Sequence, residues 1–182
     1  AGNLSTEYVA NTIRNGTQDS PAVAMSADGG QAVVVWLGPA GTTDATRVVW
    51  GRRFKFPMSW LDATDVRLST GTAASYAPRV AFLATSPARF VIGWPRLNGA
   101  FLESIEAMYR RFAFAGATGP LALDATDMMA NVFEDGNQTL AALAGIGGDG
   151  SFLLGWVSPH QDGDALGVFA AHFDADGYRT SP

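Results

Sequence analysis

The pentapeptide Leu61-Asp62-Ala63-Thr64-Asp65 recurs as Leu123-Asp124-Ala125-Thr126-Asp127, displaced by 62 residues. A degraded earlier copy is present as Leu4-Ser5-Thr6-Glu7. Self-similarity at a fixed period of roughly 60 residues is typical of repeat architectures, in which each copy forms one supersecondary unit. The sequence therefore predicts one repeat domain over residues 1–182, with copies at about 1–57, 58–119 and 120–182.

Three further landmarks follow each copy of this motif in the same order. The first is a strand-like segment, Ser20-Pro21-Ala22-Val23-Ala24, Ala77-Pro78-Arg79-Val80-Ala81 or Thr139-Leu140-Ala141-Ala142-Leu143. The second is an apolar run ending in tryptophan, Val33-Val34-Val35-Trp36, Phe90-Val91-Ile92-Gly93-Trp94 or Phe152-Leu153-Leu154-Gly155-Trp156. The third is a basic–aromatic pair, Arg53-Phe54, Arg111-Phe112 or His172-Phe173. A shared order in all three copies argues against chance.

Each copy is expected to form four short β-strands, because β-branched and aromatic residues crowd four segments and Gly, Pro, Asp and Asn crowd the gaps. The first strands are expected near 8–13, 65–69 and 127–133, and the second at 22–26, 79–84 and 140–145. The third strands end on the repeated tryptophan, and the fourth cover 47–54, 104–112 and 167–173. The predicted fold class is therefore all-β.

Three four-stranded units fit propeller-like blades, and a β-prism or a β-trefoil remains an alternative. Three blades are too few to close a ring, since propellers have about four to eight. A homodimer would supply six blades. The first strand of one chain could then complete the last blade of its partner and cover the exposed strand edges.

Composition restricts the classes of partner. Hydrophobic residues make up 47% of the chain and charged residues 16%, which indicates a globular domain rather than a disordered one. The net charge is −5 and the arginines are scattered, so nucleic acid is excluded as the expected partner. The chain has no cysteine, which excludes disulfides and thiolate chemistry. No apolar run reaches the 18 or so residues of a membrane span.

The third copy contains Asp149-Gly150-Ser151-Phe152-Leu153-Leu154-Gly155-Trp156, followed by a segment that closes with His172-Phe173-Asp174-Ala175-Asp176-Gly177. It resembles repeats of large secreted bacterial proteins of the calcium-binding RTX or adhesin type. Those repeats carry a Pro-x-Val-Ala strand, Val-Val-x-Trp and a closing Arg-Phe-Asp-x-Asp-Gly. This chain departs from the pattern at His172, and its first two copies lack the closing Asp-x-Asp-Gly. The resemblance implies propeller-type blades and a secreted or cell-surface location of bacterial type.

Five tryptophans divide into repeated and unrepeated positions. Trp36, Trp94 and Trp156 end apolar runs, so they are assigned to the core rather than to sugar stacking. Trp50 and Trp60 have no counterpart in the other copies, and an unrepeated aromatic has no required place in a repeated core. Both are therefore candidate ligand contacts.

The basic triplet Arg53, Arg111 and His172 lies on one face of the fourth strands, by period-two alternation. These residues are candidates for binding an acidic ligand in three similar sites. The alternative is a structural ion pair with aspartates of the repeated motif, which could also cap turns: Asp62, Asp65, Asp124 and Asp127.

Asp174 and Asp176 are the candidate metal ligands, because their spacing before Gly177 suits a hard cation. Calcium takes six or more oxygen ligands, so a simple turn is the competing interpretation. No other cofactor is expected. No catalytic motif is present, and no spacing singles out a pair among Glu7, Glu103, Glu106 and Glu134.

These observations predict a non-catalytic binding module, lectin-like or adhesive, with a carbohydrate or surface glycoconjugate as its partner. Repeated weak sites would gain avidity from multivalency. Two alternatives remain open. One is a structural or assembly module of a larger surface protein, and the other is a carbohydrate-active enzyme whose catalytic carboxylates are unrepeated.

Overall fold

The computed structural model describes residues 7–43, 46–57, 59–98, 104–116 and 118–180. Within these ranges the chain is all-β, so the predicted fold class is correct at that level. The same residues contain no helix of the length and apolarity that a membrane crossing requires. The strands form three separate antiparallel sheets, each built from a consecutive part of the chain, and none closes on itself.

The first sheet contains β1 (Asp19–Met25), β2 (Gln31–Pro39), β3 (Arg47–Lys55), β4 (Ser59–Trp60) and β5 (Val66–Arg67). The second contains β6 (Arg79–Leu83), β7 (Arg89–Asn98), β8 (Ser104–Ala113), β9 (Leu121–Ala122) and β10 (Met128–Met129). The third contains β11 (Thr139–Gly145), β12 (Phe152–Pro159) and β13 (Leu166–Phe173). In each sheet the three long strands follow one another as a meander, and the short strands β4, β5, β9 and β10 add to the outer edges of β3 and β8.

The predicted second, third and fourth strands of each copy are confirmed, with ends that differ by a few residues. The predicted first strands are wrong in extent. Residues 8–13 form no strand, and the other two segments are reduced to β5 and β10. The cause is a competition for backbone amides. Amides that would form the hydrogen bonds of a β-ladder donate instead to the side-chain carboxylates of Asp65 and Asp127. Thr12 and Ile13 donate to Asp65 at 2.7 and 2.9 Å, and residues 70 and 71 donate to Asp127 in the same way.

The sheets pack face to face in chain order. One apolar cluster joins the first sheet to the second, through Val33, Val35, Leu37 and Val49 on one side and Phe90, Ile92, Trp94, Met108 and Phe112 on the other. A second cluster joins the second sheet to the third, through Ala81, Leu83, Val91, Ala107 and Tyr109 against Phe152, Leu154, Trp156, Ala171 and Phe173. The second sheet is therefore buried on both faces, which explains the continuous apolar run of β7.

Strands β1, β6 and β11 lie next to one another, since β6 contacts both of its counterparts. The first strands of the three sheets are therefore neighbours in space. Trp36, Trp94 and Trp156 are buried, as their assignment to the core requires. They pair across their sheets with Trp50, Met108 and Phe169 in the same register.

Tyr109 offers a probe of the packing between the second and third sheets. Its ring packs against Phe152 and Phe173, and its hydroxyl donates to the carbonyl of Gly177 at 2.8 Å. Burial raises the pKa of Tyr109 to about 12.

We expect Tyr109 to make the protein lose stability as the pH rises from about 10, the pKa of an unfolded tyrosine, to about 12. The sign follows because the folded state holds this proton more tightly than the unfolded state. Denaturant unfolding between pH 9 and 12 measures the effect. Tyr109→Phe should flatten the decline, and Tyr178→Phe, at an exposed site, should not. Equal declines in all three proteins would contradict the assignment.

Candidate functional site

A cleft of about 710 Å³ opens at the end of the array where the hairpins β1–β2 and β6–β7 turn. Its polar lining includes Ser26, Asp28, Gln31, Thr85 and Ser86. Its apolar lining includes Met25, Phe82 and Leu83, and Gly148 adds the turn of the β11–β12 hairpin. All three sheets therefore contribute to the cleft, and its volume lies within the range of small-molecule sites.

The β1–β2 turn fixes the carboxylate of Asp28 at the edge of this cleft. The Ser26 hydroxyl donates to Asp28 Oδ1 at 2.6 Å, and the backbone amide of Gly30 donates to the same oxygen at 3.0 Å. Gly29 has a φ of +70°, a conformation that glycine adopts without steric cost. The Ser26 hydrogen bond, more than any other contact, holds the pKa of Asp28 below its usual value. Asp28 is therefore an exposed, ionised acceptor at neutral pH.

The β11–β12 turn carries a second carboxylate of similar design. Ser151 donates to Asp149 Oδ1 from its hydroxyl at 2.6 Å and from its amide at 2.9 Å. The Ser151 hydroxyl is the main reason why the pKa of Asp149 is lowered. Since Gly148 of the same turn lines the cleft, two ionised carboxylates belong to turns that bound it. This charge disfavours an anionic ligand, and the carboxylate oxygens can accept hydrogen bonds from hydroxyl donors.

Glu106 on β8 is a buried carboxylate at the opposite end of the second sheet. It is 1% exposed. It accepts from the Ser104 hydroxyl at 2.9 Å and from the Asn131 amide at 2.5 Å. Asn131 in turn accepts the backbone amide of Ala107 at 2.9 Å. Each carboxylate oxygen of Glu106 is therefore held by a neutral donor, and the network ties β8 to the segment that leads to β11.

Arg53 and Arg111, predicted to bind an acidic ligand, are instead buried in ion pairs. Arg53 Nη2 lies 2.5 Å from Asp62 Oδ1, and Arg111 Nη2 lies 2.5 Å from Asp124 Oδ1. Arg53 also donates to the carbonyls of Phe114 and Gly116, and Arg111 donates to that of Ala175. Burial removes both guanidinium groups from contact with an external ligand. For these two arginines the structure therefore agrees with the alternative interpretation of the sequence, a structural ion pair.

The other three predicted ligand contacts do not form one site. His172 lies on the third sheet, with Nδ1 2.5 Å from the Thr180 hydroxyl. Trp50 and Trp60 lie on the first sheet and are half-buried. The Trp50 indole donates to the carbonyl of Pro39 at 3.2 Å. The structure therefore distributes these residues over two sheets.

Trp60 has a packing role that the sequence comparison missed. In the second and third sheets, Phe90 stacks on Phe112 and Phe152 stacks on Phe173, each at 5.1 Å between ring centroids. The first sheet has Ala32 opposite Phe54 in this register. Trp60 contacts Phe54 instead, with the Arg52 guanidinium 3.7 Å from the centre of the indole. The aromatic partner of Phe54 therefore lies on β4, on the other side of β3 from Ala32.

Asp174 and Asp176, the predicted calcium ligands, lie in a turn. Asp174 Oδ1 accepts the backbone amides of Asp176 at 2.9 Å and Tyr178 at 2.8 Å, which is the competing interpretation made from sequence. In the part of the chain that the structure describes, no group of three or more His, Asp or Glu is arranged to hold a metal ion.

Comparison with known proteins yields a structural likeness and no sequence relative. No model of a known protein family matches the chain, and no curated protein matches it. Among solved structures, the chain is similar to a family 117 glycoside hydrolase from the marine bacterium Zobellia galactanivorans, with a TM-score of 0.50 and 11% identity. The match covers 97% of this chain and 60% of that enzyme, so the chain spans about three fifths of the enzyme's length.

This likeness corrects the prediction made from sequence. At 11% identity it shows a shared fold alone. The Zobellia galactanivorans protein is nevertheless a glycoside hydrolase, which contradicts the prediction of a non-catalytic, lectin-like or adhesive module. The finding favours the alternative that the sequence left open, a carbohydrate-active enzyme with unrepeated carboxylates.

Proposed function

We propose that the chain is a carbohydrate-active enzyme of the glycoside hydrolase type, and that the cleft between the three hairpins binds the carbohydrate. The structural likeness supports the proposed class of protein, and the chemistry of the cleft supports the proposed place. The observation that carries the proposal is an ionised carboxylate, Asp28, fixed at the edge of a cleft of about 710 Å³.

The lining of the cleft suits a neutral sugar. Carboxylate oxygens of Asp28 can accept sugar hydroxyls, whereas Thr85, Ser86 and Gln31 can both donate and accept. Phe82 supplies an aromatic surface for the apolar side of a pyranose ring. A few polar groups beside an apolar wall are typical of ligand pockets.

Hydrolysis of a glycoside requires one carboxyl group that holds a proton and one that is ionised. Asp28 and Asp149 meet only the second requirement, because the pKa of each is lowered. We assign the ionised role to Asp28.

Glu106 is excluded as its partner. Glu106 pairs with Arg96, which lies seven residues along β7 from Arg89, at the end of the strand next to the cleft. Seven strand residues place Glu106 ~20 Å or more from the cleft. The paired carboxyl groups of glycosidases lie roughly 5–9.5 Å apart.

We also propose that the three sheets are successive blades of a propeller-type fold. Three observations support this assignment. The first strands β1, β6 and β11 are neighbours, the second sheet is buried on both faces, and the arginine–aspartate pair recurs in the first two sheets. The third sheet has Ala171 and His172 where the others have two arginines.

We expect Asp28→Asn to lower kcat/KM by about 10²–10⁴-fold in assays of the full chain against a panel of aryl glycosides and oligosaccharides. The substitution keeps the size of the side chain and removes its charge. Asp176→Asn, which changes an exposed carboxylate outside the cleft, is the matched control and should leave the rate unchanged. Wild-type kinetics for Asp28→Asn, or no hydrolysis of any substrate in the panel, would overturn the proposal.

A further inference from the structure

The outward face of the third sheet is apolar and exposed. Leu153, Leu166 and Val168 are 41%, 72% and 82% exposed. Phe152, Leu154 and Trp156 alternate with Leu153 along β12 and pack against the second sheet. The exposed residues therefore lie on the side that faces away from the rest of the molecule, where they form a contiguous patch with Val157 and Pro159, the cross-strand neighbours of Val168 and Leu166.

The same face of the second sheet is buried. Val91 of β7 corresponds to Leu153 of β12, because each lies three residues before the repeated tryptophan of its strand. Ala107, next to Met108, occupies the place of Val168, next to Phe169. Val91 and Ala107 are fully buried because the third sheet covers them. The outward face of the third sheet therefore corresponds, residue by residue, to the face of the second sheet that the third sheet covers.

In the part of the chain that the structure describes, the outer edge of the third sheet also has no strand like β5 or β10. On β3, Trp50 pairs with Arg67 and Gly51 with Val66. On β8, Met108 pairs with Met129 and Tyr109 with Met128. Among the described residues, the outer edge of β13 has a single bridge, from Phe173 to Arg179. Residues 169 and 170, the counterparts of Trp50–Gly51 and Met108–Tyr109, have no such pair.

The other end of the molecule carries a segment of the missing kind. Asp65 holds Thr12 in the same way that Asp127 holds Thr70, so Tyr8 and Val9 correspond to the two residues of β5 and of β10. Both side chains are exposed, and neither residue has a strand partner in the described chain. Among the described residues, the last sheet thus has an unpaired edge, and the first sheet has an unpaired segment that corresponds in sequence to an edge strand.

We propose that a second copy of the chain covers the outward face of the third sheet and adds its Tyr8 and Val9 to the outer edge of β13. The register of β3 and β8 places Val9 of the second copy opposite Phe169, and its Tyr8 opposite Ala170. Addition of a strand to an open edge is a common mode of recognition. A two-fold axis repeats the contact at the other end, so the two copies form a closed array of six sheets.

Sedimentation of the full chain tests this interface. The wild-type protein should sediment as a dimer of the 19.1 kDa chain. Leu166→Asp/Val168→Asp should sediment as a monomer, because two carboxylates would be buried without partners. Leu121→Asp, on the edge of the second sheet and 64% exposed, is the matched control and should remain a dimer. A monomeric wild-type protein, or a double variant as dimeric as wild type, would overturn the proposal.

A cysteine pair tests the register independently of stability. The chain has no cysteine, so Tyr8→Cys/Ala170→Cys introduces the sole thiols. Directly opposed residues on antiparallel strands lie close enough for a disulfide. Oxidation should give a covalent dimer on a non-reducing gel, and Tyr8→Cys/Leu121→Cys should not. A monomeric band for the first pair, or equal dimer from both pairs, would contradict the register. Neither experiment depends on hydrolysis, so its failure is separate from failure of the proposed enzyme activity.

Discussion

Asp124→Asn is expected to lower the free energy of unfolding by about 3–5 kcal/mol, because it leaves a buried guanidinium without its countercharge. Arg111 and Asp124 are almost fully buried side chains. The carboxylate accepts from Arg111 Nε and Nη2 through Oδ1, and from the Arg111 backbone amide through Oδ2 at 2.7 Å. An asparagine would turn one of these oxygens into an NH₂ group that faces another donor.

Denaturant unfolding of Asp124→Asn and two matched variants measures this loss. Asp19→Asn removes the partner of Arg47 in a more exposed ion pair, with side chains 24% and 45% exposed and a separation of 2.8 Å, and it should cost less than about 1 kcal/mol. Arg111→Met/Asp124→Leu removes both charges and should be less destabilised than Asp124→Asn. Similar losses in Asp124→Asn and Asp19→Asn would show that burial does not govern the strength of these pairs.

Trp94→Ala is expected to cost about 3–5 kcal/mol, because it empties the largest side chain in the contact between the first two sheets. Trp94 is fully buried among Ile92, Met108 and the residues of β2. Its indole nitrogen has no hydrogen-bond partner among the described residues. That N–H group is therefore already desolvated without compensation.

Trp94→Phe separates the volume of this side chain from its polar atom. Phenylalanine fills most of the cavity and removes the unpaired N–H, so the expected loss is only about 1–2 kcal/mol. Chemical denaturation of both variants gives the comparison. A Trp94→Phe variant as unstable as Trp94→Ala would indicate that the nitrogen is bonded in solution, through water, for example.

The long strands were predictable because their signals are local. An apolar run with a terminal tryptophan marks β2, β7 and β12 without reference to the rest of the chain. The first strands were overestimated because Asp65 and Asp127 capture backbone amides more than 50 residues away. Such a competition between a carboxylate and a ladder depends on which segments meet, and this is not visible in either segment alone.

The site was less predictable than the fold for a similar reason. The sequence offered both a ligand role and an ion pair for Arg53 and Arg111, and only burial between sheets decides between them. Asp28 lies in a local hairpin turn, but the cleft beside it exists because three hairpins meet at one end of the array. Glu106 did not stand out from the other glutamates because its partner Asn131 is 25 residues away.

Arg53 and Arg111 also determine how the molecule should come apart. Each arginine is held by an aspartate that lies between the two short edge strands of its own sheet. Its remaining donors reach carbonyls near the next sheet, at Phe114 and Gly116 or at Ala175. Separating one sheet from its neighbour would therefore expose apolar surface and would also leave buried arginine N–H donors without their carbonyl acceptors. Stacked units of this kind should melt in one cooperative transition, and a truncation between sheets should unfold more than the part removed.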